Sequence, residues 1–480
     1  MHTPARQTPA LQTPALQTPA LQTPVHAAAR LDRLPIGPFH RRMLWLVGAG
    51  MFFDSFDNAM MAGVLAALVG SGWSTMALNA RFISASFIGL TVGAAMAGLI
   101  GDRLGRRFAY QFNLLIFGGA CLLASVAPSM SWLIAIRAVM GIGLGAEYVV
   151  GYGMVSEFVP PARRGEYTAL LNLISSSGVF VVALTGLVVI PLVGWRVMFV
   201  IGGAGALWVW WLRRKLPESP RWLEQVGRTE EAETVLRAIE QEAAQGGPLP
   251  TPVIVPADAP RRVPITVLFT RPVLRRTLLA IAVNVTCLVG SYSFTAWIPS
   301  FFVKQGLSVT RSLGFNVAMT AGTIAGPLLG VFLADRIGRR RGIMATGLAC
   351  GAIGAVYPFL TAPVPIMFCG FLLVSMMSLF LALGLGGYTP ELFPTAYRFR
   401  GSGLAQMAGR AGLIASPYGV LLLFANYGIG GVVGAIATMY VTLVIIVAIA
   451  GIETNQMSLE ALAPDAPGST AGASEHRAAE

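Results

Sequence analysis

Five ionisable side chains lie inside long apolar stretches of this sequence: Asp54, Asp57, Arg137, Glu147 and Arg410. A charged group within a bilayer is expensive, so it normally faces a partner or a water-filled cavity and marks an ion or substrate pathway. A carboxylate that gains or loses an arginine partner changes its affinity for a proton. A buried guanidinium can bind a carboxylate through its fork of donors. The chemistry that these residue types offer is therefore proton exchange and anion recognition.

The two aspartates are the candidate proton carriers, and Glu147 is a candidate cavity acid. Asp54 and Asp57 are spaced i, i+3, so they share one helix face. As ionisable residues within a span, both are candidates for proton coupling. The alternative for Asp54 is a carboxylate that is simply hydrated in a cavity. Glu147 lies about 80° from Arg137 around a helix with 100° per residue, so it either lines the cavity or bonds a neighbouring helix.

Arg410 is the candidate anion-binding residue. It lies about ten residues into the apolar stretch 401–425, which is roughly 15 Å deep at a rise of 1.5 Å per residue, near the midplane. An uncompensated guanidinium there is a permanently charged site for a carboxylate. The alternative is a buried pair with Glu147 or Asp54, which would leave no net positive charge for a substrate.

Composition identifies the elements that must position these residues. Of the 480 residues, 55% are hydrophobic and 12% are charged, about half the charged fraction of a soluble protein. Soluble enzymes and nucleic-acid binders are therefore disfavoured, and the four cysteines lack the spacing of a metal site. A span needs about 20 apolar residues. We predict an all-α membrane protein with twelve spans: 43–69, 79–101, 108–127, 131–155, 167–190, 195–212, 275–303, 313–334, 342–361, 364–387, 401–425 and 430–452.

Lysine and arginine orient these spans. The net charge is +12, and most basic residues fall in the two termini and in the loops after the second, fourth, sixth, eighth and tenth spans. The opposite loops hold only Arg81, Arg196, Lys304 and Arg311. Because cytoplasmic loops are enriched in basic residues, we expect both termini to be cytoplasmic. The charge thus needs no nucleic-acid partner.

An internal duplication divides the chain. The motif DRLGRR at 102–107 recurs as DRIGRR at 335–340, and Glu157 and Arg164 recur as Glu391 and Arg398 at nearly the same offset. Parallel six-span repeats place a substrate site between the halves near the midplane. The predicted domains are a disordered N-terminal tail (1–42), an N-terminal bundle (43–212), a central loop (213–274), a C-terminal bundle (275–452) and a C-terminal tail (453–480). Within the central loop, 229–245 predicts a helix capped by Thr229.

Four motifs resemble the major facilitator superfamily, in its sugar-porter-like and metabolite:proton symporter branch. They are GLIGDRLGRR (98–107), RAVMGIGLGAE with SEFVPPARRG (137–165), LPESPRWL (216–223) and YTPELFPTAYRFRG (388–401). The chain looks most like enterobacterial inner-membrane metabolite transport proteins. The resemblance implies two six-helix bundles, a small-molecule substrate, protons and a place in the cell inner membrane. It implies no cofactor, no catalytic or metal site, and a monomer.

The resemblance also implies roles for three of the buried charges. Asp57 lies in SFDNAMMAG, which is similar to the first-helix segment whose Asp binds the coupling proton and pairs with the arginine corresponding to Arg137. A static pair that only holds helices together is the alternative. MAGRAGLIASP (407–417) looks like the eleventh-helix segment in which organic anion transporters bind anions through an arginine, the position of Arg410. The glutamine pair of sugar porters is absent, and Asn284 and Tyr292 are the nearest polar groups.

We therefore predict a secondary transporter that imports a small organic acid with protons. The alternatives are a carrier of a neutral sugar or polyol and a membrane sensor that transports nothing. Arg410, Glu147, Tyr292, Trp297 and Asn316 are the predicted substrate contacts. The predicted gate uses Glu157 with Arg164 and Glu391 with Arg398 as matching pairs, and it also includes Asp102, Arg103, Arg106, Asp335 and Arg339.

Overall fold

A computed structural model describes residues 27–245, 247–252, 264–393 and 398–453. The described residues form helices and connecting segments, without a strand. The helices are α1 (Ala27–Asp32), α2 (Pro38–Gly70), α3 (Met76–Leu104), α4 (Arg106–Ser125), α5 (Met130–Phe158), α6 (Pro161–Val193), α7 (Arg196–Arg213), α8 (Pro220–Gln225), α9 (Thr229–Ala244), α10 (Arg271–Thr295), α11 (Ile298–Lys304), α12 (Val309–Thr320), α13 (Gly322–Ile337), α14 (Arg339–Val356), α15 (Pro363–Leu381), α16 (Thr389–Glu391) and α17 (Arg398–Ala450). A π-helical segment, Ala382–Tyr388, joins α15 to α16.

The predicted all-helical membrane fold is confirmed. Ten helices in the described ranges are long and apolar enough to cross a bilayer, against twelve predicted spans. One difference is α7, which covers the sixth predicted span with only 18 residues and has an arginine at each end. The other is α17, which runs through both final spans and bends at Gly428, where φ is 63° in the left-handed region.

Small residues bring α3 and α5 into backbone contact. A Cβ added at Gly145 would overlap the carbonyl oxygen of Leu90, and one added at Gly93 would overlap that of Ile142. Small residues at helix interfaces allow such close approach in membranes. The glycine run of α5 therefore has a packing function, and it fixes Arg137 and Glu147 beside α3.

The two bundles meet in the middle of the molecule and at one end. We call the end that carries the loops after α3, α5 and α7 the arginine-rich face. The far end of α2 packs on α12, where a Cβ at Gly70 would lie 2.8 Å from Val309 Cγ2. Nearer the middle, the Ser84 hydroxyl donates to the Ile414 carbonyl oxygen at 2.8 Å. These contacts join the bundles in the middle and at the face opposite the arginine-rich face.

The N-terminal tail is shorter than predicted. Residues 27–32 form α1, and α2 begins at Pro38, so 27–42 are folded and not disordered. The reason is burial: Leu31 and Leu34 share an apolar cluster with Leu236 and Ile239 of α9. The repeat 7–24 and the C-terminal tail from 454 lie outside the described residues.

The described part of the central loop contains the α-helices α8 and α9 and a 3-10 helix, Ile265–Phe269. The predicted helix at 229–245 is confirmed as α9, Thr229–Ala244. Its predicted cap is wrong, because Arg228 occupies the N-cap position and Thr229 is already helical. The helix α8 was not predicted; the Ser219 hydroxyl caps it by accepting from the Trp222 amide at 3.4 Å.

Candidate functional site

The predicted Asp57–Arg137 contact is present between α2 and α5. Arg137 Nη1 donates to Asp57 Oδ2 at 2.5 Å, and both side chains are 0% exposed. Arg137 Nε also donates to Ser86 Oγ at 3.2 Å, and the guanidinium lies 5.3 Å from the centroid of the Phe82 ring. Ser86 and Phe82 are one turn apart on α3. The arginine is thus held by α3 and pairs with the acid on α2.

This pair is tightly enclosed. The Cys121 thiol of α4 lies 3.9 Å from Asp57 Oδ1 and 3.2 Å from the Phe199 carbonyl oxygen of α7. Arg137 Nη2 is buried and has no hydrogen-bond partner. Removal of one partner from a buried pair leaves an uncompensated charge that costs about 3–5 kcal/mol. The pair therefore fastens α2 to α5 in this conformation.

Asp54 is buried without a partner. Its side chain is 2% exposed, and neither carboxylate oxygen accepts a hydrogen bond. It lies within electrostatic range of Asp57, Arg137, Glu147 and Arg410. The simple alternative of a hydrated carboxylate does not fit this burial.

Glu147 pairs with Arg213 and not with Arg410. The two side chains are buried, and Arg213 Nη2 donates to Glu147 Oε1 at 2.5 Å. Arg213 also donates to the carbonyl oxygens of Leu46 and Val47 at 2.8 and 2.7 Å. Of the two predicted possibilities for Glu147, the structure shows the bond to a neighbouring helix. We did not predict Arg213, because an arginine at the last residue of a span resembles a loop residue.

Arg410 has no carboxylate partner among the described residues. It is half-buried in α17, and its Nη1 donates to the Leu90 carbonyl oxygen of α3 at 3.3 Å. Asp54 and Tyr292 are within electrostatic range of the guanidinium. The alternative of a hydrogen-bonded pair with Glu147 or Asp54 is therefore absent from this conformation.

Tyr292 lies at the same interface between the bundles. Its hydroxyl accepts from Asn58 Nδ2 of α2 at 3.4 Å, and its ring meets Phe87 of α3 edge-on at 5.4 Å between centroids. Neither Asn58 nor Phe87 was predicted: Asn58 directly follows Asp57 in SFDNAMMAG, and Phe87 lies in an apolar stretch without a distinguishing motif. Together with Arg410 and Asp54 they form a polar and aromatic site between the halves.

Trp297 and Asn316 are the two remaining predicted substrate contacts. Trp297 is 1% exposed and stacks on Phe301, whose ring stacks in turn on Phe424. This arrangement is typical of packing, and the substrate contact at Trp297 stays a prediction. Asn316 is buried on α12.

The arginine-rich face carries a duplicated ion pair. Arg106 Nε donates to Glu157 Oε1 at 2.9 Å, and at the repeat positions Arg339 Nε donates to Glu391 Oε1 at 3.4 Å. The predicted Glu157–Arg164 pair is wrong: Arg164 contacts Asp32 at 3.5 Å, because its guanidinium turns toward α1. Arg103 is exposed. The side chains of Asp102, Asp335 and Arg398 lie outside the described part of the structure.

A second duplicated feature was not predicted. Glu218 accepts from the Arg106 amide at the start of α4 at 2.9 Å, and Glu453 accepts from the Arg339 amide at the start of α14 at 2.9 Å. A carboxylate at a helix N-terminus interacts favourably with the helix dipole. The glycine before each helix has a positive φ, 100° at Gly105 and 86° at Gly338. The repeat thus holds in three dimensions as well as in sequence.

Two duplicated helical bundles, buried ion pairs and a polar site where the bundles meet define an integral membrane protein built around a central site. The model of the Major Facilitator Superfamily matches residues 47–417. The chain belongs to this family.

Comparisons with three known proteins show what the chain is similar to within this family and fold. The chain is 36% identical to the inner membrane metabolite transport protein YdjE of Escherichia coli, over 90% of this chain and 97% of that protein. It is 33% identical to the niacin transporter NiaP of Acinetobacter baylyi, over 90% and 99%. The crystal structure of a D-xylose-proton symporter superposes with a TM-score of 0.69 at 16% identity, over 88% and 100%. The chain is a membrane transporter and not an enzyme.

Proposed function

We propose that this transporter imports a small organic acid together with protons across the cell inner membrane. The observation that carries this proposal is Arg410: a guanidinium where the two bundles meet, bound to one carbonyl oxygen and to no described carboxylate. A permanently charged fork in that position favours a carboxylate ligand. Tyr292, with Phe87 edge-on beside it, supplies an aromatic surface next to the charge. A small acid with an aromatic ring fits both features.

Proton coupling would use the Asp57–Arg137 pair. With the pair formed, Asp57 is the carboxylate that Arg137 stabilises; with the pair broken in an apolar site, the protonated acid is favoured. Alternation between these forms would couple proton release to one conformation of the carrier. The formed pair in this structure corresponds to the deprotonated form.

Alternating access would come from rocking of residues 43–212 against 275–452. We propose that the arginine-rich face and both termini are cytoplasmic, because basic residues concentrate in cytoplasmic loops. The bundles meet at the opposite face through Gly70 and Val309. That contact supports assignment of this conformation to the inward-facing half of the cycle. We propose that the duplicated Arg106–Glu157 and Arg339–Glu391 pairs, each within one bundle, are part of the cytoplasmic gate.

The test is a thermal-shift screen of the detergent-purified protein against aromatic and aliphatic acids, sugars and polyols. Niacin is the first acid to include, because a 33% identical relative is named as a niacin transporter. A ligand at 100 times its Kd stabilises a protein by about 2.7 kcal/mol. We expect acids to stabilise the wild type but not Arg410→Ala. The matched control is Arg400→Ala, an exposed arginine of the same helix, which should behave as the wild type.

The same screen tests the other functions. Sugars or polyols that stabilise the wild type and Arg410→Ala equally would contradict the anion site and favour a neutral solute. Binding without counterflow in proteoliposomes would favour a sensor that transports nothing.

A further inference from the structure

Two buried acids lie on one side of α2, between the Asp57–Arg137 pair and the arginine-rich face. Asp54 precedes Asp57 by three residues, and Gly50 precedes Asp54 by four. These positions share one helix face and descend about 10 Å along its axis. A Cβ at Gly50 would overlap both Arg213 Nη2 and Glu147 Oε1. Glu147 therefore lies one turn below Asp54, against the same face.

Both acids have oxygen atoms without hydrogen-bond partners. Asp54 Oδ1, Asp54 Oδ2 and Glu147 Oε2 are all buried and unsatisfied. The charged groups around Asp54 are Glu147, Asp57, Arg137 and Arg410; Glu147 is bound by Arg213. An isolated buried carboxylate is expensive, and two that share a site favour retention of a proton between them.

We propose that Asp54 and Glu147 form a proton relay between Asp57 and the arginine-rich face; this rests on the proposed proton coupling. In the first step the O–H bond of protonated Asp57 breaks, an O–H bond forms on Asp54, and Asp57 becomes the carboxylate that Arg137 binds. In the second step the proton moves from Asp54 to Glu147 and the Glu147–Arg213 ion pair opens. In the third, Glu147 gives the proton to water at the arginine-rich face and pairs with Arg213 again.

Arg213 is the positioning residue of this relay. When Glu147 is protonated, the guanidinium keeps its bonds to the carbonyl oxygens of Leu46 and Val47. Those bonds lower the cost of opening the ion pair, because a buried charge needs remaining partners. Besides Asp57, Arg137 contacts only the Ser86 hydroxyl and the Phe82 ring among the contacts described above, and no carbonyl oxygen. The Glu147–Arg213 pair is therefore the one that can open and close while its arginine stays in place.

The competing explanation is that Glu147 and Arg213 only fasten α2, α5 and α7 together. Purified variants in proteoliposomes distinguish the two. Lumenal acidification driven by niacin reports coupled proton movement, and counterflow of radiolabelled niacin reports exchange. Glu147→Gln and Asp54→Asn should each slow acidification about tenfold or more relative to counterflow, because a positioned proton carrier is lost. Glu147→Asp, which keeps a carboxyl group, should restore part of the acidification.

A measurement without substrate separates failure of the relay from failure of the proposed function. The infrared band of protonated carboxylic acids is titrated in the wild type, in Glu147→Gln and in the control Glu166→Gln, an exposed glutamate near the start of α6. Acids that share a proton affect each other by about one pH unit or more, so the band midpoint should move in Glu147→Gln only. An unmoved midpoint overturns the relay whatever the substrate is.

The transport measurements distinguish three outcomes. Loss of acidification in Asp57→Asn but normal acidification in Glu147→Gln overturns the relay and leaves the proposed function standing. A wild type that exchanges niacin without moving protons overturns the proposed coupling and the relay with it. Acidification and counterflow that fall in parallel with the melting temperature, without rescue by Glu147→Asp, support the fastening role and overturn the relay.

Discussion

The two bundles share their arginine-rich face and differ in their interiors. In each bundle an arginine of the repeated motif pairs with a glutamate. A second glutamate accepts from the backbone amide of that arginine, where the next helix begins. The N-terminal interior holds two buried ion pairs and the unpaired Asp54. The only acids between 275 and 452 are Asp335 and Glu391, outside the predicted span centres, and the deep charge of that half is Arg410. The duplicated unit has kept this arginine–glutamate ion pair in both halves, and we infer that proton chemistry belongs to one interior and anion binding to the other.

The largest expected effect comes from removal of one charge of the Asp57–Arg137 pair. Arg137→Met leaves Asp57 buried without its partner, which should lower the free energy of unfolding by about 3–5 kcal/mol. Urea or thermal unfolding in detergent measures it.

Asp57→Asn combined with Arg137→Met removes both charges and is the control. It should recover much of the loss, since replacement of a whole buried pair is often nearly neutral. A double variant as unstable as Arg137→Met would show that packing of the arginine, and not its charge, fastens the N-terminal interior.

Gly50→Ala should have the next largest effect. Its Cβ would overlap the buried Glu147–Arg213 pair, and Arg213 is held by two carbonyl oxygens as well. Overpacking of this kind costs about 1–3 kcal/mol. In Gly119→Ala nothing lies within 4 Å of the new methyl group, so we expect a neutral or slightly stabilising change. Equal melting temperatures for both variants would contradict the close packing at Gly50.

The duplicated Arg106–Glu157 and Arg339–Glu391 pairs predict smaller effects on stability that match between the two halves. Arg106→Ala and Arg339→Ala each remove a partly exposed ion pair, and each should cost about 1 kcal/mol or less. Counterflow rates should change to a similar degree in both. Arg103→Ala, an exposed arginine of the same motif, should stay within about 0.5 kcal/mol of the wild type. A large effect in one half only would show that the repeated pairs have acquired different functions.

Sequence-based prediction succeeded for the duplicated organisation of the chain and failed for several individual side-chain partners. The repeated motifs predicted the duplicated halves, but the predicted Glu157–Arg164 pair was wrong, because Arg106 is the arginine that contacts Glu157. Asp57–Arg137 followed from resemblance to a family. Arg213 as the partner of Glu147, and Asp32 as that of Arg164, could not be predicted: several arginines were available, and helix packing decided among them. Burial of α1 was also hidden, because its apolar partners lie about 200 residues away on α9.

The smallest effect concerns the clamp between the N-terminal segment and α9. Arg30 binds both Glu233 and Glu240, and Arg33 Nη2 contacts Glu240 Oε1 at 2.6 Å. Burial raises the pKa of the Glu240 carboxyl, but the hydrogen bonds from Arg30 and Arg33 outweigh burial, so the pKa is below its ordinary value. The hydrogen bond from Arg30 is the main cause of the lowered pKa of Glu233.

A lowered pKa fixes the sign of the pH dependence. Stabilisation by the clamp is complete above the ordinary glutamate pKa of about 4.3 and is lost as the pH falls through the lower folded value. Glu240→Gln should therefore lower the melting temperature at pH 7 and have a smaller effect near pH 4. The expected loss at pH 7 is about 0.5–1 kcal/mol, as for other ion pairs near a surface. Glu231→Gln breaks only an exposed pair with Arg228 and should show neither change. A deficit of Glu240→Gln that stays constant from pH 7 to pH 4 would mean that the loss does not come from the ion pairs with Arg30 and Arg33, and would contradict a clamp that depends on the charge of Glu240.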